Sequence, residues 1–260
     1  PQALRQRTTD IVKDDITSGV DPKKAILFRQ SDVLEHTELA WIFECLVTMP
    51  FLMQAHAYKD KVAKGMEANA GLFNYPMLMA ADILMYDTEV VPVGEDQRQH
   101  VEYAREAVTK FNNAYGETFI APQERVLAGV GIVPGTDGQK MSKSYKNTIP
   151  LFGTTEEIKK AVMGIVTDSS GNRPENVYAI HKLFRAEAEL EALYEEHKGK
   201  YKELKEARAA DIDAFIAPMR ERRASITNAD VETVLKDGAV RARERASKKM
   251  AEVRKAVGLA

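Results

Sequence analysis

Apolar positions recur with helical spacing at the start of the chain. Leu4, Ile11, Val12 and Ile16 stand among charged residues over 4–18 and predict an amphipathic helix. Gly19 suits the end of that helix, where a residue without a Cβ can turn the chain away, and Asp21-Pro22 marks a turn. Ala25-Ile-Leu-Phe28 is an apolar run of strand length. Asp32, with Glu35 three residues on, has the form of a capping box and predicts a helix to about Val47. Residues 50–70 are polar and rich in Lys and Met, with no clear period. Leu72 to Tyr86 is strongly helical, with Pro76 expected in the first turn. Val90-Val-Pro-Val93 reads as a short strand stopping at Gly94, and Asp96 to Asn112 as a helix. Arg125 to Val133 reads as strand and loop, leading into the segment Pro134-Gly-Thr-Asp-Gly138.

After Pro150 the texture changes. Residues 155–258 are rich in Ala, Glu, Lys, Arg and Leu, the strong helix formers. Strands alternating with helices before that point predict an α/β domain with a parallel sheet over 1–150, and the remainder an all-helical domain over 151–260.

Composition narrows the picture. The 260 residues carry a net charge of −2, so any contact with RNA must come from a local patch and not from the whole surface. The single cysteine, Cys45, excludes an internal disulfide, which fits a reducing compartment. It lies in the apolar run Trp41 to Val47 and reads as a small buried hydrophobe. No apolar stretch approaches the ~20 residues that span a bilayer, so no membrane partner is expected.

Three places could carry chemistry. The first is Lys140-Met-Ser-Lys-Ser144, which follows the Gly/Asp/Pro loop. Two ammonium groups on a mobile loop could stabilise charge developing on a leaving pyrophosphate. A bare Lys-x-x-Lys is ordinarily a solvated basic loop; the full five-residue string is far more specific. The second is Val91-Pro-Val-Gly-Glu-Asp-Gln97, a strand running into a helix. Ligands of open α/β sheets bind at such carboxyl ends of strands. Gly94 would let the backbone approach a ribose, Asp96 could accept from its hydroxyls, and Gln97 could bond the α-ammonium or carboxylate of an amino acid. The bland reading makes Asp96 a helix N-cap. The third is the helix 72–86, where Tyr75, Met79, Asp82 and Tyr86 fall on one face. Asp82 sits among apolar neighbours and needs a donor. An indole N–H, a donor that cannot accept, would serve, and Met79 could wall the ring; a structural Arg, Lys or Tyr would serve equally.

No glycine-rich phosphate loop, G-x-G-x-x-G string, H-E-x-x-H string or Cys/His cluster occurs in the sequence. The histidines at 36, 56, 100, 181 and 197 are scattered, and none is assigned to catalysis.

Taken together, GLFNYPMLMAADILMYDTEVVPVGEDQRQHVEYAREAV over 71–108 and DGQKMSKSYKNTIPLF over 137–152 resemble the bacterial-type tryptophanyl-tRNA synthetases of class I. The opening PQALRQRTTDIV, the stretch DPKKAILFRQSDVLEHTELAWI and the ending GAVRARERASKKMAEVRKAVGLA extend the resemblance from end to end. It implies a Rossmann-like parallel-sheet catalytic domain, incomplete at its N-terminus, followed by a helical domain that reads the anticodon. No H-x-G-H string is present, so the HIGH signature of the class is absent, and the resemblance implies a missing segment that carries it; activation by this chain alone is expected to be weak. Residues 49–56 also differ from the family's usual version, a subfamily variant.

The resemblance further implies these roles. Asp82 would accept from the indole N–H; Met79, Ile83, Val91 and Val93 would form the ring pocket; Tyr75 and Gln97 would hold the α-amino group. Gly94, Glu95 and Asp96 would lie along the ribose of ATP, Ile132 would line the adenine site, and Met141, Ser142 and Ser144 would complete the nucleotide-binding loop. Lys140 and Lys143 would bind the phosphates, with Lys61 as helper and Mg²⁺ arriving on the ATP. The implied partners are L-tryptophan, tRNA(Trp) and a second copy of the chain, the dimer contact drawing on Trp41, Ile42, Leu46 and Leu72, in the cytoplasm. Arg220, Arg222, Arg223, Arg241, Arg243, Arg245, Lys248 and Lys249 are candidates for RNA phosphates, though a solvated face is the ordinary reading of most of them. The competing readings are a non-catalytic synthetase-like module that binds tryptophan or RNA, and the tyrosine-specific sister enzyme, since a phenol can also donate to an Asp.

Overall fold

A computed structural model describes residues 1–94, 97–126, 133–142, 145–166 and 174–260. Packing divides the chain into two units of discontinuous sequence: Pro1–Val20 with Gly129–Val231, and Asp21–Ala128 with Glu232–Ala260. The change of texture at residue 150 falls inside the first of them.

In the first unit, α1 (Gln2–Thr17) ends as its sequence predicts. Gly19 takes φ +110°, its N–H donates to the Ile16 carbonyl, and the Val20 N–H reaches back to Asp15, so two of the orphan carbonyls of the last turn are satisfied. Helix α7 (Thr155–Met163) opens with a reciprocal capping box between Thr154 and Glu157. It packs with α8 (Glu175–His181), α9 (Glu187–Glu196) and the long α10 (Tyr201–Ser225) around Ile158, Val162, Val177, Leu190, Ile212 and Ile216. Helix α1 is tied to α10 by Arg223, whose guanidinium donates to Asp14, and by Arg222, which donates to the Thr17 carbonyl.

The second unit holds the sheet. Strands β1 (Val90–Val93) and β2 (Gln123–Val126) pair in parallel, Val90 opposite Gln123 and Val93 opposite Val126. The crossover that a parallel pair requires is α6 (Arg98–Tyr115). These are the only strands among the described residues. The apolar run 25–28 is not a strand. The last helix, α11 (Asn228–Ala256), lies against it: a Cβ on Gly238 would stand 1.8 Å from the Leu27 carbonyl oxygen, and Arg241 donates to the carbonyls of Pro22 and Ala25. Backbone groups that a neighbouring strand would need face a helix instead, while Ile26 and Phe28 pack on the core.

Helix α2 (Glu35–Glu44) begins without the expected Asp32 cap, because the Asp32 carboxylate accepts from Arg29 at 3.0 Å and residues Gln30–Asp32 wind into a single 3-10 turn. The helix buries His36, Leu39, Ala40 and Phe43. Cys45, expected inside, is exposed because the helix has already ended and turned its core face elsewhere. Residues 50–70 resolve into α3 (Met49–Leu52) and α4 (His56–Ala63), the latter docked by the edge of Tyr58 against Phe73 at 5.2 Å.

Helix α5 (Ala70–Leu84) is capped by Asn69, whose side chain accepts from the Leu72 N–H. Because the helix starts there, Pro76 lies within its interior and not in its first turn, where the missing N–H leaves the Leu72 carbonyl without its usual donor. Burial of Met77, Ala80, Ala81 and Leu84 offsets that loss. Phe43, Phe111 and Phe119 meet edge to face in the same core, to which α11 adds Ala242, Ala246, Met250 and Val253.

Candidate active site

Helix α5 and the turn after it present the polar cluster of the second unit. The Asp82 carboxylate takes Gln30 Nε2 at 2.6 and 2.8 Å on its two oxygens and lies 2.6 Å from His36 Nδ1. The other imidazole nitrogen, Nε2, is 2.7 Å from the Tyr86 hydroxyl. The Asp82 side chain keeps 38% of its surface exposed, whereas His36 is buried. Burial, then the charges of Asp82 and Glu35, push the Tyr86 hydroxyl up to about 12, so it carries its proton at neutral pH. The donors to Asp82 are therefore an amide and an imidazole, and not the Arg, Lys or Tyr that the sequence left open.

Two turns back, the Tyr75 hydroxyl lies 2.8 Å from His100 Nε2, which links α5 to α6; burial raises the Tyr75 hydroxyl above its ordinary value. Met79 and Val91 are half-buried against the core, Ile83 is inside it, and Val93 is half-buried on β1. Gln97 stands at the N-cap of α6, its N–H donating to the Gly94 carbonyl. Lys61 lies in the last turn of α4 and is half-buried. Glu95, Asp96, Ile132, Lys143 and Ser144 lie outside the described residues.

In the first unit, the loop bearing Lys140 is organised by a residue that sequence reasoning passed over. Asn147 is 2% exposed; its amide donates to Asp137 at 2.7 Å and to the Lys140 carbonyl at 3.0 Å, and its oxygen accepts from the Ser142 N–H at 2.7 Å. The hydrogen bond from Asn147 holds the Asp137 carboxyl below its usual range. Gly135 lies so close that a Cβ there would come within 2.3 Å of the Asn147 amide, and Gly138 adopts φ +82°. Pro134 and Lys140 form an antiparallel bridge, so the loop is a closed ring with Lys140 exposed at its rim and Met141 half-buried below it. Such a ring can present an ammonium group to an anion without a large ordering cost.

Most of the basic residues nominated for RNA are engaged within the protein. Arg220 binds Asp213, Arg241 and Arg243 bind backbone carbonyls, Lys248 binds Glu244, and Lys249 is buried against Asp87. Arg222 and Arg223 fasten α1, as above. Arg245 is exposed.

The parallel strand pair joined by a helical crossover makes the second unit an α/β structure. The sequence profile of the family described as tRNA synthetases class I (W and Y) matches residues 1–225, and the chain belongs to that family. The tryptophan–tRNA ligase of Rhodopirellula baltica is 43% identical over all of this chain and 84% of its own length. The crystal structure of the Campylobacter jejuni tryptophanyl-tRNA synthetase complexed with ADP and tryptophan superposes with a TM-score of 0.90 at 40% identity, covering 99% of this chain and 84% of that one. The Mycoplasma pneumoniae tryptophanyl-tRNA synthetase gives 0.86 at 28% identity, covering 100% and 84%.

Missed by the sequence reading were Gln30, His36, His100 and Asn147. His36 did leave a signal: it occupies the same face of α2 as Leu39, Ala40 and Phe43, at spacings of three, four and seven, where a polar side chain must find partners inside.

Proposed function

We propose that this chain is a tryptophan–tRNA ligase, which joins L-tryptophan to tRNA(Trp) through an adenylate. The observation that carries the reading is the Asp82 carboxylate, held by His36 and Gln30 on the same helix face as Tyr75 and Met79, in a chain so similar to enzymes of that name.

Asp82 accepts the indole N–H. Met79, Ile83, Val91 and Val93 surround the ring, and Tyr75 and Gln97 hold the α-amino group. Gly94, Glu95 and Asp96 follow the ribose, and Ile132 lines the adenine. Magnesium arrives with ATP as part of the substrate. A tryptophan carboxylate oxygen attacks the α-phosphorus, the bond to the bridging oxygen breaks, and pyrophosphate leaves. Lys140 and Lys143, helped by Lys61, stabilise the charge gathering on it. The terminal hydroxyl of the tRNA then attacks the acyl carbon, and AMP departs. The protein's contribution is positioning and fixed positive charge.

Residues 151–260 serve the anticodon. Trp41, 66% exposed, and the half-buried Ile42, Leu46 and Leu72 support a homodimer contact on α2, the turn after it and α5. No helix among the described residues is long and apolar enough to cross a membrane, and we place the protein in the cytoplasm.

Amino-acid-dependent ATP–pyrophosphate exchange, run on the whole gene product with this chain beside it, tests the proposal. Exchange with tryptophan and not with tyrosine is expected. Exchange with tyrosine alone means the sister specificity, and a folded whole protein inert with both amino acids means a binding module.

A further inference from the structure

His36 contributes no group to the roles above, yet it is the most constrained polar residue near Asp82. It is 1% exposed, and both ring nitrogens are engaged, Nδ1 with Asp82 at 2.6 Å and Nε2 with the Tyr86 hydroxyl at 2.7 Å. Its ring also packs against two aromatic neighbours, Phe28 at 5.8 Å and Tyr86 at 5.5 Å between centroids, which meet each other edge to face at 5.9 Å. An imidazole engaged at both nitrogens and packed against two aromatic rings has little freedom to turn.

The role of Nδ1 follows from its partner. A carboxylate only accepts, so Nδ1 carries a proton and donates to Asp82. On the far side of the ring Nε2 lies 2.7 Å from the Tyr86 hydroxyl, so the imidazole is anchored at both nitrogens. Gln30 is the other donor, and its side chain is exposed where His36 is buried. Counting lone pairs, Oδ1 receives His36 and Gln30, while Oδ2 receives Gln30 alone and retains an acceptor site.

We infer that His36 is a positioning residue for amino-acid recognition: it fixes the rotamer of Asp82 so that Oδ2 is aimed at the ring N–H of the substrate, and Tyr86 fixes His36. The inference rests on the proposed role of Asp82. It assigns the selectivity for an N–H-bearing ring to a buried residue that the substrate does not touch.

The test compares L-tryptophan with the analogue in which sulfur replaces the ring N–H, measuring Kd for each by titration calorimetry and KM in pyrophosphate exchange. The whole gene product should prefer tryptophan by roughly tenfold to a hundredfold, the worth of one hydrogen bond to a charged acceptor. His36→Leu should bring that ratio to within about threefold of unity, with KM for ATP unchanged. His36→Asn places an amide donor where Nδ1 stands and should restore most of the ratio despite lost packing. Equal discrimination by His36→Leu and wild type overturns the inference, as does an Asn variant no better than the Leu variant, since that marks a purely structural residue. Should His36→Leu fail to fold, Tyr86→Phe decides: it leaves the imidazole in place and should lose about threefold of the preference, and an unchanged ratio overturns the inference. A wild type that binds tryptophan without preferring it to the sulfur analogue sinks the Asp82 reading itself, an outcome distinct from the others.

Discussion

Lys249 of α11 donates to the carboxylate of Asp87 at 2.7 Å, and Asp87 is held there with φ +49°, a backbone conformation few residues other than glycine adopt. The same ammonium donates to Glu252 at 3.0 Å and to the Thr118 carbonyl at 3.2 Å, and it lies over the Phe119 ring at 5.7 Å. One buried cation therefore fixes the turn after α5, the loop after α6 and the last helix to one another. Burial by itself lowers the Lys249 ammonium, but the hydrogen bonds to Asp87 and Glu252 outweigh it and raise it above its ordinary value of 10.5.

Lys249→Met should destabilise the second unit by about 1–2 kcal/mol, less than a fully buried pair because Asp87 and Glu252 remain partly in water. The midpoint of urea unfolding reads this out. The raised value sets the sign with pH: the stabilisation is complete below the unfolded value and is lost as pH rises through the folded one. Wild type and Lys249→Met should therefore converge above pH 10.5.

Asn147→Ala removes the three hydrogen bonds that close the lysine loop, and Gly135→Ala forces a methyl group into the Asn147 amide. If the loop binds the phosphates as proposed, both should raise KM for ATP by roughly tenfold in pyrophosphate exchange and leave KM for tryptophan within about twofold. A change in the tryptophan KM alone contradicts this.

Arg208 is fully buried, and none of its three nitrogens finds a partner among the described residues; burial pulls the guanidinium down to about 10. Burial outweighs the favourable electrostatic contribution of Tyr194, and no hydrogen bond among the described residues offsets the cost of keeping it charged there. Arg208→Met, which retains the stem packing of the side chain, should stabilise the first unit by about 1–3 kcal/mol. A lower Tm in the variant contradicts the assignment.

His181 is buried between Tyr194 and Asp211, with Arg185 and Arg208 nearby. Desolvation outweighs Asp211 and lowers its titration below 6.5. A depressed value means that the unfolded chain binds the proton first, so stability is complete above 6.5 and falls as pH drops through the folded value. The acid limb of a stability–pH curve should begin just below 6.5 and should flatten in His181→Gln.

Local signals were legible where a residue's job depends on near neighbours in sequence. Gly19 ending α1, β1 at 90–93, the single face of Tyr75, Met79 and Asp82 and the five-residue lysine string all follow from short-range spacing. Misplacements occurred where a distant segment competes for the same group. Asp32 was read as a cap, but Arg29 takes its carboxylate while Arg243 takes its carbonyl. The run 25–28 has the length of a strand, but α11 covers its carbonyls.

The sequence by itself determined that this is a class I tRNA synthetase, because the strings at 71–108 and 137–152 that carry the family resemblance are short and their order needs no folding to be read. Only the tertiary structure decided who supports them. The partners of Asp82 and of Tyr75, and the burial of Lys249 under the turn at Asp87, join segments remote in sequence, and hydrogen bonds across such separations leave no period along the chain. A buried polar atom accepts whichever donor the fold brings within 3 Å, and that choice is made by packing.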